Sequence, residues 1–164
     1  MLRTSAPLIG ALGVREATRV PDILKDLRKA FPTFPIEKIV ANHPCAECDS
    51  LNRALVGNPW DEVPSRFIDE NAGALPLISD DTYLEVLPAW LARAVEGPGS
   101  DVATMTLINL TDNPRTAAVT RAQAKCIIEV AHRIIEANGF GPEDPANIES
   151  LNQVEKYWGI HVRE

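Results

Sequence analysis

The residues best suited to chemistry lie together at His43-Pro44-Cys45-Ala46-Glu47-Cys48. Two thiols three positions apart on a helical turn share a face, and the dipole at a helix N-terminus lowers a thiol pKa. His43, two residues upstream of Cys45, adds an imidazole, so the three form a candidate site for a soft ion such as zinc. Three donors are one short of a closed structural zinc site and match the protein share of a catalytic one. A fourth could come from Glu47, Asp49, Cys126, His132 or His161, and spacing selects none of them. The same pair could instead act as a redox or nucleophilic thiol. The plainer reading is packing alone. Buried free cysteines behave as small hydrophobes, and no second Cys-x-x-Cys accompanies this one.

Other chemical patterns are weaker. Glu129-Val130-Ala131-His132 spells one Glu-x-x-His unit, whereas a carboxylate-bridged di-iron bundle needs two such units and two further Glu residues. On a helical wheel His132 lies about 100° from the centre of its apolar face, and Cys126 falls further round toward the polar side. The doublets Asp61-Glu62, Asp69-Glu70 and Asp80-Asp81 point about 100° apart on a helix, which suits helix starts and solvated faces better than paired catalysis. There is no Gly-rich phosphate loop, dinucleotide fingerprint or Gly-x-Ser-x-Gly elbow. No catalytic residue can be assigned on these grounds.

The elements that must position the cluster read as helices. Val20-Pro21 opens a segment with Ile23, Leu24, Leu27 and Phe31 on one face, stopped by Pro32 and Pro35. The next helix is expected to start at Pro44 with His43 as N-cap, to run through Leu51 and Leu55, and to end at Gly57. Residues 58–78 are Pro-rich, with a short helix expected around Arg66–Asn71. Ser79 is expected to cap a long helix with Tyr83, Leu87, Trp90 and Leu91 among its apolar positions, kinked or broken near Pro88. Over 102–110 helical and alternating patterns compete, and helix is favoured because no second strand pattern exists to pair with it. Thr120-x-x-Gln123 is a capping box for a helix over Arg121–Asn138, closed by Gly139. Asp144-Pro145 starts a last helix with Ile148, Leu151, Val154 and Trp158 on one side, ended by Gly159. Trp60, Trp90 and Trp158 are expected core anchors. The sum is a single all-α bundle of five to seven helices over residues 21–164, preceded by an N-terminal segment, residues 1–20.

Length and charge limit the function classes. A chain of 164 residues with 45% hydrophobic and 24% charged residues suits one folded domain. The formal charge is −7, and residues 39–112 alone hold three Lys/Arg against twelve Asp/Glu, a net −9. So acidic a middle repels phosphate backbones, which argues against nucleic acid as partner. Three cysteines make a disulfide-stapled secreted scaffold a poor fit, and the apolar run 6–14 is a short, Pro- and Gly-broken mimic of a signal peptide. No window reaches the roughly 20 apolar residues of a bilayer span, so a cytoplasmic protein without membrane attachment is expected.

Four blocks in order carry a resemblance. They are His43-x-Cys45-x-Glu47-Cys48, Leu55-x-Gly57-x-x-Trp60, Ala74-Leu75-Pro76-Leu77-Ile78-Ser79 and Tyr83-x-x-x-Leu87-Pro88-Ala89-Trp90-Leu91. With Ala30-Phe31 ending the first helix and Thr120-x-x-Gln123 starting a late one, the stretch 21–138 resembles a set of small bacterial proteins classed as a domain of unknown function. Trp90 stands where those proteins carry Tyr. The resemblance implies a shared helical fold and carries no assigned activity or catalytic residue. Two functional expectations follow. One is a non-enzymatic adaptor-type module binding another protein, with the acidic middle steering a basic partner. The other is a metal- or thiol-dependent enzyme centred on His43, Cys45 and Cys48.

Overall fold

The computed structural model describes residues 18–112, 114–138, 141 and 143–163. Expectations for residues 1–17 and for Gly139 lie outside the described residues. Among those described, the fold is all-helical apart from one isolated parallel bridge between Ile36 and Val56. The helices are α1 Val20–Ala30, α2 Ala46–Leu55, α3 Ser65–Glu70, α4 Tyr83–Glu96, α5 Asp101–Asp112, α6 Arg121–Ala137, α7 Pro145–Trp158 and α8 Ile160–Arg163, with 3-10 turns at Trp60–Glu62 and Leu75–Leu77.

α4 is the spine because its apolar residues cover most of its circumference. Nine of its residues are buried, and α1, α3, α5 and α6 all pack against it. Such a helix is stable only when neighbours enclose it from several sides. α4 is one long helix that runs through Pro88, so of the two expectations, a kink or a break, the break does not occur. Its N-cap is Thr82, not Ser79: Ser79 instead forms the preceding turn, its carbonyl accepting from the Thr82 N–H at 3.1 Å. The competing pattern over 102–110 resolves as helix within α5, where the Ser100 hydroxyl accepts from the Ala103 N–H at 3.3 Å.

The three tryptophans anchor separate joints, each with its indole N–H satisfied by a carbonyl. Trp60 donates to Phe31 at 3.4 Å, Trp90 to Asn71 at 3.2 Å and Trp158 to Leu110 at 3.0 Å. A buried indole needs such a partner. Arg115 closes the end of the α4–α5 layer. Its guanidinium lies 4.7 Å from the Tyr83 ring centroid and donates to the carbonyls of Pro76, at 3.1 Å, and Ile78.

Two helix faces differ from the wheel. Cys126 is buried rather than turned to the polar side, because α1 packs on that flank of α6. On α7 the buried positions are Asn147, Val154 and Trp158, while Ile148 is 46% exposed. Asn147 replaces it inward because its amide donates to the Gly141 carbonyl at 2.7 Å, a bond no aliphatic side chain can form. After Gly159 the chain re-enters a short helix, α8, that packs on α6 and α7.

Candidate metal and thiol site

The site is built on α2, and α2 is held by the segment that precedes it. Ile36 receives the Gly57 N–H on its carbonyl at 2.8 Å and donates its own N–H to Asn58 at 3.2 Å, which fastens both ends of the excursion. Gly57 makes this reversal at φ +85°, a conformation that costs other residues energy. Five residues before Gly57, the Asn52 amide clasps the incoming segment: its Oδ1 accepts from Val40 N–H at 2.8 Å and Ala41 N–H at 3.1 Å, and its Nδ2 donates to the Ala41 carbonyl at 2.6 Å. On the other side the Ser79 N–H donates to the Val40 carbonyl at 2.7 Å. Chain direction from Ala41 to His43 is thereby set.

The helix starts two residues later than expected. Cys45, not His43, is the N-cap: it is extended at φ −148°, ψ 159°, and its sulfur accepts the Cys48 N–H at 3.4 Å. A thiol can cap a helix because that N–H lacks an intrahelical acceptor. The Cys45 N–H meanwhile donates to the His43 carbonyl at 2.9 Å, a tight turn that folds the imidazole back over the helix start. As a result the donor atoms of His43, Cys45 and Cys48 all lie within 4.8 Å of one another. Such a group could hold a metal ion. His43 is exposed, Cys45 half-buried and Cys48 buried in the core cluster beside Leu51 and Leu55.

The two thiols are electrostatically unlike. Cys45 is lowered to about 7, chiefly through hydrogen bonding from the His43 side chain, then from the Cys48 N–H and the Cys48 thiol. Cys48 is pushed upward, chiefly because its thiol donates to Cys45 and would lose that bond on ionising, with burial acting the same way. One sulfur is therefore a ready thiolate near neutral pH and its neighbour keeps its proton.

None of the other donors considered joins this group among the described residues. His132 Nε2 sits 3.6 Å from Glu155 Oε1, on the α6–α7 side. Cys126 is buried in α6, and burial raises its thiol to about 11. His161 belongs to α8. Two of the acidic doublets split toward separate cations, Asp69 with Arg93 at 2.7 Å, Glu70 with Arg66 at 2.7 Å, Asp80 with Arg115 at 3.3 Å and Asp81 with Lys38 at 3.4 Å, and in the third Asp61 meets Arg28 at 3.4 Å.

The residue sequence reasoning missed is Asn52, which positions the loop carrying His43. Its position four residues after Cys48 puts it on the same helix face, and that spacing was the one available signal. No helix among the described residues is long and apolar enough to cross a membrane. In comparison with known proteins, the chain matches no family model, no curated protein and no solved structure.

Proposed function

We propose that the protein is a non-enzymatic helical module that binds one zinc ion through His43, Cys45 and Cys48 and docks on another protein in a reducing, cytoplasmic setting. The observation that carries the metal reading is the convergence of three soft donors within 4.8 Å on one helix start. Two thiolates and a neutral imidazole favour zinc over hard cations, and they offset its double charge. The Cys48 N–H directed at the Cys45 sulfur is the kind of surrounding hydrogen bond that orients a ligand and tempers thiolate charge. A fourth donor is required for tetrahedral coordination, and solvent or a partner side chain supplies it.

Support for the docking half comes from the segment just before the site. Phe34 is 77% exposed and Ile39 61% exposed, and a groove of about 500 Å³ is lined there by Pro32, Phe34, Pro35 and Leu84 together with the charged Glu37, Lys38 and Glu85. The net −9 over residues 39–112 favours a basic partner. Kinship with the small bacterial family rests on the motif order over 21–138. A second reading, a metal-dependent enzyme at the same three residues, is favoured by the open fourth position, the arrangement of catalytic zinc sites.

Elemental analysis after equilibration with zinc and desalting tests the proposal: about one zinc per chain is expected, falling to background in Cys45→Ser and Cys48→Ser. Metal-free protein of unchanged stability contradicts it.

A further inference from the structure

Three regions invite chemistry beyond the metal reading. The Tyr83–Asn109 pair is buried and closed, with the Tyr83 hydroxyl donating to Asn109 Oδ1 at 2.5 Å and Arg115 sealing the ring face. The His132–Glu155 contact between α6 and α7 is a two-residue pair that joins no third metal-ligating donor among the described residues. The Cys45–Cys48 pair, by contrast, combines an accessible sulfur, a sheltered one and an imidazole.

We infer that, when the site holds no metal, Cys45 and Cys48 carry out thiol–disulfide exchange, Cys45 attacking an accessible disulfide and Cys48 resolving the product. The inference concerns the site of the zinc reading and shares its residues, but it does not require that metal binds.

The geometry assigns the two roles. Cys45 is half-buried at the N-cap, where its sulfur can meet an incoming disulfide, whereas Cys48 is only 1% exposed and cannot be approached from solvent. The Cys48 N–H at 3.4 Å stabilises negative charge on Cys45, both before attack and when Cys45 leaves again. The two sulfurs already lie within 4.8 Å of one another, so a closing of less than about 3 Å brings them to the S–S bond length.

The step balances as follows. The Cys45 thiolate bonds to one sulfur of a substrate disulfide RSSR, and the substrate S–S bond breaks to release one thiolate, which takes a proton from solvent. Cys48 passes its proton to the imidazole of His43 and attacks the Cys45 sulfur. The mixed disulfide then breaks, releasing the second thiol. The protein dithiol is oxidised to a Cys45–Cys48 disulfide, and RSSR is reduced to two RSH. The substrate class is any disulfide with an exposed sulfur, small or on a peptide.

The test uses reduced full-length protein, stripped of metal with a chelator and incubated with excess oxidised glutathione, then alkylated and mapped by peptide mass. Wild type is expected to lose two hydrogens, with Cys45 linked to Cys48 and Cys126 still alkylatable after unfolding. Cys48→Ser is expected to stop at a glutathione adduct on Cys45, and Cys45→Ser to react roughly tenfold more slowly. The inference is overturned if wild type keeps all its thiols, if it retains an unresolved adduct on Cys45, or if glutathione collects on Cys126. The wild-type map stands whether or not a variant folds. A zinc titration of the same preparation separates the two readings: a chain that takes zinc but never cross-links overturns the exchange, and one that cross-links without taking zinc overturns only the metal site.

Discussion

Asn52 grips Ala41 from both sides, its Oδ1 accepting the Ala41 N–H at 3.1 Å while its Nδ2 donates to the Ala41 carbonyl at 2.6 Å. This pairing mimics a sheet rung with a side chain, and it joins the core of α2 to the loop that carries His43. The His43 imidazole meets the two cysteines from that loop.

Asn52→Ala leaves the Val40 and Ala41 backbone groups without their partner. Net hydrogen bonds are worth about 1 kcal/mol each, so the loss is expected to be about 2–4 kcal/mol by urea unfolding. Zinc affinity should fall in parallel, roughly tenfold to a hundredfold, because His43 loses its fixed approach. Wild-type affinity in a variant with reduced stability would show that the loop is not what places His43.

The three thiols should titrate apart. Alkylation requires thiolate, so a Cys45 lowered to about 7 gains reactivity as pH rises through about 7 and levels off above it. Cys48, pushed upward, and Cys126, at about 11, stay slow across that window. Iodoacetamide labelling followed by peptide mapping reads the order directly. His43→Ala removes the largest lowering influence, so the Cys45 midpoint is expected to move upward.

How far the sequence foretold this site depends on the range of the forces involved. The capping box at Thr120 and Gln123 and the Asp144-Pro145 start are local, and both form as expected, with Thr120 Oγ1 accepting from Gln123 N–H at 3.3 Å and Asp144 accepting from Ala146 N–H at 2.9 Å. The His43, Cys45 and Cys48 donors meet because they are close along the chain. What escaped were choices settled by distant partners. Cys126 is inward only because α1 lies there, and Asn147 displaces Ile148 only because the Gly141 carbonyl waits for a donor. Thr82 rather than Ser79 begins α4, and Ser79 sits in the turn before it, its N–H donating to Val40 and its carbonyl accepting from Thr82. Pro44 misled in a different way: a proline fits a first helical position, yet here the thiol of the next residue takes the cap.

Trp158 tests the joint between α7 and α5. It is fully buried and donates to Leu110 at 3.0 Å. Trp158→Phe removes that donor, strands the carbonyl and leaves a void, which together are expected to cost about 2–4 kcal/mol in thermal or urea unfolding. A loss within about 0.5 kcal/mol would mean that α7 contributes little to the bundle.

Arg93 makes a two-point contact with Asp69, at 2.7 and 2.9 Å, linking α4 to α3. Both side chains are substantially solvent-exposed, so Arg93→Ala is expected to cost no more than about 1 kcal/mol, and less at high salt. A larger, salt-insensitive loss measured by denaturant titration would place the pair in the core network instead.

X-ray absorption at the zinc edge of the zinc-equilibrated protein tests the central claim most directly. Two sulfurs at about 2.3 Å, with nitrogen or oxygen at about 2.0 Å filling the remaining positions, is the predicted shell, and Cys48→Ser is expected to retain no zinc in a sulfur-containing shell. A shell of nitrogen and oxygen alone, or one unchanged by that substitution, would contradict it.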